Sequence, residues 1–278
     1  MTQRKGSMEI NEDETAGKTD TDTPINYESV SVGGREIILV GTAHVSQTSV
    51  ENVERVIRET SPDHLCVEID ASRYASLKNK GNWENLKINE VLRQRKGFLL
   101  LANLALSSFQ KRLGADLGVN PGDEMKRGIA VAEELGISYS FADREIQTTL
   151  RRAWAKSGFW GKNKMLASLI ASVFTKEKVS SEELEKLKEK DVLQGMMEEL
   201  AAFLPAVKEV LIDERDRYLA TRIWSRPEKR VVAVVGAGHI QGIKEWIAAL
   251  EAGTGSADLA EIEVVPPPSR VTRILPWI

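Results

Sequence analysis

The chain has 278 residues, 42% of them apolar and only 6% aromatic, which is material for one main core and at most a small second one. Its 41 acidic and 38 basic residues are interspersed and leave a formal charge of −3, so no broad basic field for nucleic acid is present. The single cysteine, Cys66, excludes an internal disulfide, and its setting Leu65-Cys66-Val67 reads as a reduced, buried residue.

Residues 1–25 are rich in Thr, Asp, Glu, Lys and Gly and read as a disordered tail without the basic start and apolar middle of a secretory signal. Glu28 to Val32 and Arg35 to Val40, separated by Gly33-Gly34, read as a hairpin. The second strand delivers Gly41-Thr42-Ala43-His44. Ser49 is expected to cap a helix carrying Val50, Val53, Val56 and Ile57 at helical spacing, which Ser61-Pro62 ends. Asp63 to Ile69 is the next strand, parallel to the first through a crossover, with Glu68, Asp70 and Arg73 at its exit.

A long helical pattern runs from Asn85 to Leu113, with the apolar stretch Phe98 to Leu106 read as a core helix or a homodimer surface. Gly122 to Leu135 is a further helix and Ile137 to Phe141 a third strand ending at Asp143-Arg144. Ile146 to Trp224 is almost all helix, in segments 154–174, 181–200 and 206–224, and reads as an insertion or cap over the site. Arg230 to Val235 is a strand that delivers Gly236-Ala237-Gly238-His239, followed by a helix to Leu250 and a last strand from Ala260 to Val265. From residue 267 a proline-rich linker leads to Arg270, Arg273 and Trp277, a pattern expected at the onset of a membrane segment or in a docked tail. No window of ~18 apolar residues occurs in the chain itself.

The pattern Gly-x-x-His therefore stands twice, each time after a strand, and places His44 and His239 at the carboxyl edge where open α/β sheets bind ligands. With Glu68 they form a donor set suited to a divalent metal, although a strand-end histidine more often bonds to backbone or caps a helix. Arg73, Arg144 and Arg215 should each find a carboxylate among Asp70, Asp143, Glu214 and Asp216. Such a network either ties the helical cap to the sheet or binds an anionic group of a substrate. His64, at the start of its strand, reads as structural. Phosphate loops and a Gly-x-Ser-x-Gly elbow are absent from the sequence, which weakens nucleotide-dependent and serine-hydrolase readings.

The ordered motifs Leu39-Val40-Gly41-Thr42-Ala43-His44-Val45-Ser46, Pro62 to Val67-Glu68-Ile69-Asp70 with Arg73, Ala142-Asp143-Arg144, Asp213-Glu214-Arg215-Asp216-Arg217-Tyr218 and Val234-Val235-Gly236-Ala237-Gly238-His239 resemble the TraB/PrgY family. That resemblance runs from about Glu36 to Glu245. It implies a relation to the TIKI metalloproteases and an erythromycin-esterase/ChaN-like fold, an α/β domain over 26–266 with a mixed, partly parallel sheet and a large helical insertion at about 85–135 and 146–224. It further implies an active site of His44, Glu68 and His239 supported by manganese or cobalt, with zinc equally suited to such donors. PrgY-like members are associated with shutting down a peptide pheromone and commonly carry membrane helices.

The expectation is a metal-dependent hydrolase acting on a peptide or protein substrate, with Glu214 or Asp143 accepting a proton from metal-bound water and one of Arg73, Arg144 or Arg215 steadying the oxyanion. The alternative is a peptide-binding or sequestering module with the same charged cleft and no turnover. A planar ligand such as haem, held by the histidines, is a weaker third reading. The full-length protein is expected at a membrane through a segment missing from this chain, and the lack of a signal favours the cytoplasmic side.

Overall fold

A computed structural model describes residues 27–42, 47–78, 122–174 and 190–267. The Asn85 to Leu113 pattern, His44 and the proline-rich end beyond residue 267 fall outside the described residues.

The β-branched runs build five strands: β1 (Glu28–Val32), β2 (Arg35–Thr42), β3 (His64–Val67), β4 (Ser138–Phe141) and β5 (Arg230–Gly236). Gly33 and Gly34 both adopt positive φ, 53° and 78°, the backbone of a tight turn between strands of natural twist, so β1 and β2 pair as an antiparallel hairpin. The sheet order is β1-β2-β5-β3-β4, and every pair other than the hairpin is parallel. The expected mixed, partly parallel sheet is therefore present. Its central strand is β5, the last to be made.

The central strands are buried on both faces, as runs such as Val231-Val232-Ala233-Val234-Val235 require. Ile38, Val40, Leu65, Val67, Val232 and Val234 face α1 (Gln47–Thr60) and α3 (Asp123–Leu135), whose Val53, Ile57, Met125 and Ile129 complete one core layer. Residues of opposite parity, Ile37, Leu39, Cys66, Ala233 and Val235, meet Leu219, Ile223, Ile243 and Ile247 on the other face. These come from α8 (Glu214–Trp224) and α9 (Ile240–Glu251). Between the strands lies the short α2 (Ala71–Lys78).

The expected helical cap consists of α4 (Ile146–Lys156), α5 (Phe159–Phe174), α6 (Lys190–Phe203) and α7 (Pro205–Lys208) among the described residues. A satellite core of Met165, Leu204 and Val207, flanked by Trp154, Leu200 and Leu211, holds it together. The expected helix near 206–224 is interrupted, because Glu209–Asp213 forms a π turn before α8 starts.

Two local expectations are corrected. Ala260 to Val265 is not a strand: Ala260–Glu263 is a single helical turn, α10, and its carbonyls are taken by arginines rather than by a neighbouring strand. Ser49 is not a cap either, since α1 already begins at Gln47 and Ser49 is buried within its first turn.

Candidate active site at the carboxyl edge of the sheet

Parallel strands send their carboxyl ends to one edge, and three of them deliver charged groups there. β3 exits into Glu68 and Asp70, β4 into Asp143 and Arg144, and β5 into the 3-10 turn Ala237–His239. β2 brings Gly41 and Thr42 to the same edge, and Thr42 Oγ1 donates to the Val235 carbonyl at 3.3 Å. Helix α8 closes the site from above. Because successive helical residues point about 100° apart, its first residues Glu214, Arg215 and Asp216 address three different partners.

Arg215 is the centre. Its Nε and Nη2 donate to the two oxygens of Asp143 at 3.0 and 2.9 Å, a bidentate pair. Nη2 also donates to Glu68 Oε1, while Nη1 donates to His239 Nε2 at 3.1 Å and to the Leu211 carbonyl at 3.4 Å. All five N–H donors of the guanidinium are thus engaged. Burial would lower its pKa, but Asp143 and Glu68 outweigh that and hold it above the ordinary arginine value. The second oxygen of Glu68 accepts from the Gly236 N–H at 2.6 Å, which fixes the carboxylate against the end of β5.

His239 pairs with Asp216 through Nδ1, 2.5 Å from Oδ1. An arginine can only donate, so Nε2 must be the acceptor in its bond with Arg215, and the ring proton sits on Nδ1 facing Asp216. Burial pushes the Asp216 carboxyl above its usual range, with the pairing to His239 opposing. Gly242 in α9 makes this approach feasible: a Cβ there would stand 2.0 Å from Asp216 Oδ2.

Glu214 belongs to a second, adjoining cluster. It receives Arg144 Nη1 at 2.8 Å, Arg152 Nε at 2.8 Å and Nη2 at 2.7 Å, and Lys156 Nζ at 2.8 Å. Burial alone would raise its pKa, but the hydrogen bonds from Arg152, Lys156 and Arg144 hold it down at about 2. Arg144 also donates to the carbonyls of Ile262 and Val210, and Arg152 to those of Glu261 and Val264. The dipeptides Asp143-Arg144 and Glu214-Arg215 therefore cross-pair. One half faces the site and the other clamps the segment after α9.

Of the residues singled out by sequence, Glu68, Asp143, Arg215 and His239 come together. Arg73 stands at their margin, 3.5 Å from Asp143 and 39% exposed in its side chain. Arg144 and Glu214 form the neighbouring clamp. Asp70 accepts from the N–H groups of Ser72 and Arg73 with one oxygen, capping α2, while its other oxygen is buried without a hydrogen-bond partner. His64 lies at the opposite edge between Ser138 and Ser140, 2.7 and 2.8 Å from their hydroxyls. Asp216, expected as an arginine's partner, pairs with His239 instead, and Gly242 is an addition to the site. The signal for Asp216 was its place one residue after Arg215; nothing in the sequence pattern singles out Gly242 for this contact.

A cleft of about 720 Å³ opens beside the cluster. Asp216 and Gly238 reach its wall, Leu39, Met197, Ile212 and Ile240 supply an apolar lining, and the ion pairs Lys244–Glu28 and Lys208–Asp213 stand at its rim.

The metal expectation can be weighed against these donors. Glu68 has both oxygens engaged and His239 both nitrogens, and among the described residues no three His, Cys, Asp or Glu side chains converge as an ion would require. Glu68 and His239 as placed are held by protein groups in a way that does not suit a divalent ion, and His44, the third residue of the expected set, lies outside the described residues.

An open α/β sheet with a carboxylate, guanidinium and imidazole cluster at its carboxyl edge is the class that fold and site define. A family model described as the TraB/PrgY/gumN family matches residues 28–254, and the chain belongs to that family. Similar proteins include one from Methanocaldococcus jannaschii described as uncharacterized, 35% identical over 236 residues, which are 82% of this chain and 57% of that protein. TraB domain-containing proteins of Mus musculus and Homo sapiens are 32% and 31% identical, each over 275 residues, 88% of this chain and 70% of theirs. The chain thus spans little more than half the length of the archaeal relative.

Proposed function

We propose that this chain is a hydrolase acting on peptide bonds at the carboxyl edge of the sheet. The observation that carries the reading is the Asp216–His239 pair, a carboxylate-oriented imidazole standing behind the wall of a cleft large enough for several residues of a peptide. In the reaction, His239 Nε2 takes a proton from the attacking water as its oxygen bonds to the carbonyl carbon. It returns that proton to the amine nitrogen as the C–N bond breaks. Asp216 stabilises the imidazolium formed in between. Arg215 must release Nε2 for this, since that nitrogen accepts its hydrogen bond in the resting arrangement. Arg73, the most exposed arginine of the cluster and held to Asp143 by a longer contact, is the one freest to turn toward a developing oxyanion. No step is routed through a metal, for the donor reason given above.

The peptide as substrate class rests on the family resemblance. Attachment to a membrane through a further segment belongs to the same proposal; among the described residues no helix is long and apolar enough to cross one.

The fully engaged N–H groups of Arg215 and the two accepting oxygens of Glu68 favour a second reading, a peptide-binding module whose network is closed on itself. A degenerate peptide library incubated with the wild type, His239→Gln and Asp216→Asn separates the two. Cleavage by the wild type, lost in both folded variants, supports the hydrolase; retention of peptides without cleavage supports the module.

A further inference from the structure

We infer that Arg215 is the resident cation of this site, filling the space between Glu68, Asp143 and His239 that an ion shared by those three would need, so that guanidinium and ion are mutually exclusive there. The inference holds for either reading of the function.

Charge and donor bookkeeping lead to it. Glu68 and Asp143 bring two negative charges to the edge of the sheet, with side chains 4% and 1% exposed. Buried carboxylates must be compensated. Arg215 touches both, and Arg73 adds a second positive charge at 3.5 Å from Asp143, so among the described residues two cations balance the two carboxylates. His239 and Asp216 form a separate couple, in which the ring proton on Nδ1 faces the Asp216 carboxylate.

The acceptors are equally occupied. Glu68 Oε1, Asp143 Oδ1 and Oδ2 and His239 Nε2 all point at the guanidinium, and those four atoms are two carboxylates and an imidazole, the donor types of a transition-metal site. A guanidinium stays protonated at any pH a protein survives. An ion entering this volume would meet a fixed positive charge and lone pairs already given to N–H groups. The planar fork does what a metal would do for geometry, fixing Asp143 bidentately and orienting Glu68 and His239. Helix α8, which packs on the sheet through Leu219 and Ile223, supplies it.

The corollary is that removing Arg215 creates a metal site. Arg215→Met vacates the volume and leaves the same four acceptors facing it, whereas Arg215→Lys keeps a positive charge in place. The experiment equilibrates wild type, Arg215→Met and Arg215→Lys with manganese, cobalt and zinc chlorides after chelator treatment. Bound ion is read by elemental analysis and calorimetry, and folding by circular dichroism. The expected result is one equivalent bound by Arg215→Met, at least about tenfold more tightly than by either cationic form. If the folded Met variant takes up no more ion than the wild type, the inference falls.

Should Arg215→Met fail to fold, the wild type alone still decides. One equivalent of ion bound by the wild type and lost in Glu68→Gln overturns the inference, because ion and guanidinium would then share the site. Absence of such Glu68-dependent binding, with wild-type melting temperature unmoved by millimolar ion, is the result it requires, since a ligand that binds only the native state must stabilise it.

Discussion

Asp216 holds His239 in one tautomer, and Gly242 gives Asp216 the room to do so. Asp216→Asn replaces the charged acceptor by a neutral one, so the bond from Nδ1–H should weaken while Arg215 keeps Nε2 an acceptor; nitrogen shifts of His239 by NMR report this directly. If the hydrolase reading is right, the same variant should lose about 10²- to 10⁴-fold in turnover. Gly242→Ala should act at a distance on the same pair. Its methyl group would overlap the Asp216 carboxylate, and overpacking of this kind costs about 1–3 kcal/mol. Thermal unfolding measures the cost, and the His239 shifts should move as they do in Asp216→Asn.

Glu214 gives a pH dependence with a definite sign. Its folded pKa of about 2 lies below the ordinary value of 4.5, so it contributes stability above the unfolded pKa. That contribution, on the order of 3 kcal/mol, is lost as pH falls from about 4.5 toward 2. Acid melts of wild type and Glu214→Gln test it. The Gln variant should lose about 3–5 kcal/mol near neutrality, because Arg144, Arg152 and Lys156 lose their shared carboxylate, and should show less additional loss in acid.

At the scale of elements, strands and their exits were legible because continuous β-branched apolar runs followed by Gly or a charge are a strong local signal. Glu68, Asp143 and His239 were found for that reason. Arg215 and Glu214 stood out as part of a dense charge run, but their division of labour was not legible. It depends on the π turn Glu209–Asp213, which sets the phase of α8, and on partners some 60 to 150 residues away in sequence. Ala260 to Val265 misled for a related reason. Ile262, Val264 and Val265 look like strand residues, yet this segment is held by side chains, Arg144 and Arg152 donating to the carbonyls of Glu261, Ile262 and Val264. Arg152→Ala should therefore release it. Amide hydrogen exchange is expected to speed up within 260–264 while β2, β3 and β5 keep their protection.

For the whole molecule, the order β1-β2-β5-β3-β4 means that the strands flanking the centre are made long before the centre itself. β2 and β3 both pair with β5 on either side, and its Val231 to Val235 alternate between the two core layers. A fragment ending at residue 225 should accordingly have helix signal but no cooperative unfolding transition, checked by calorimetry, and folding of the full chain should be slow for its size because its sheet contacts are non-local.

The buried thiol of Cys66 lies on β3 beside that central strand, and burial pushes its pKa up to about 11. A thiol that is both covered and protonated meets an alkylating reagent only when the sheet parts. As the sole cysteine of the chain, it turns covalent labelling into a clock for that event, read by mass at one position without any engineered probe.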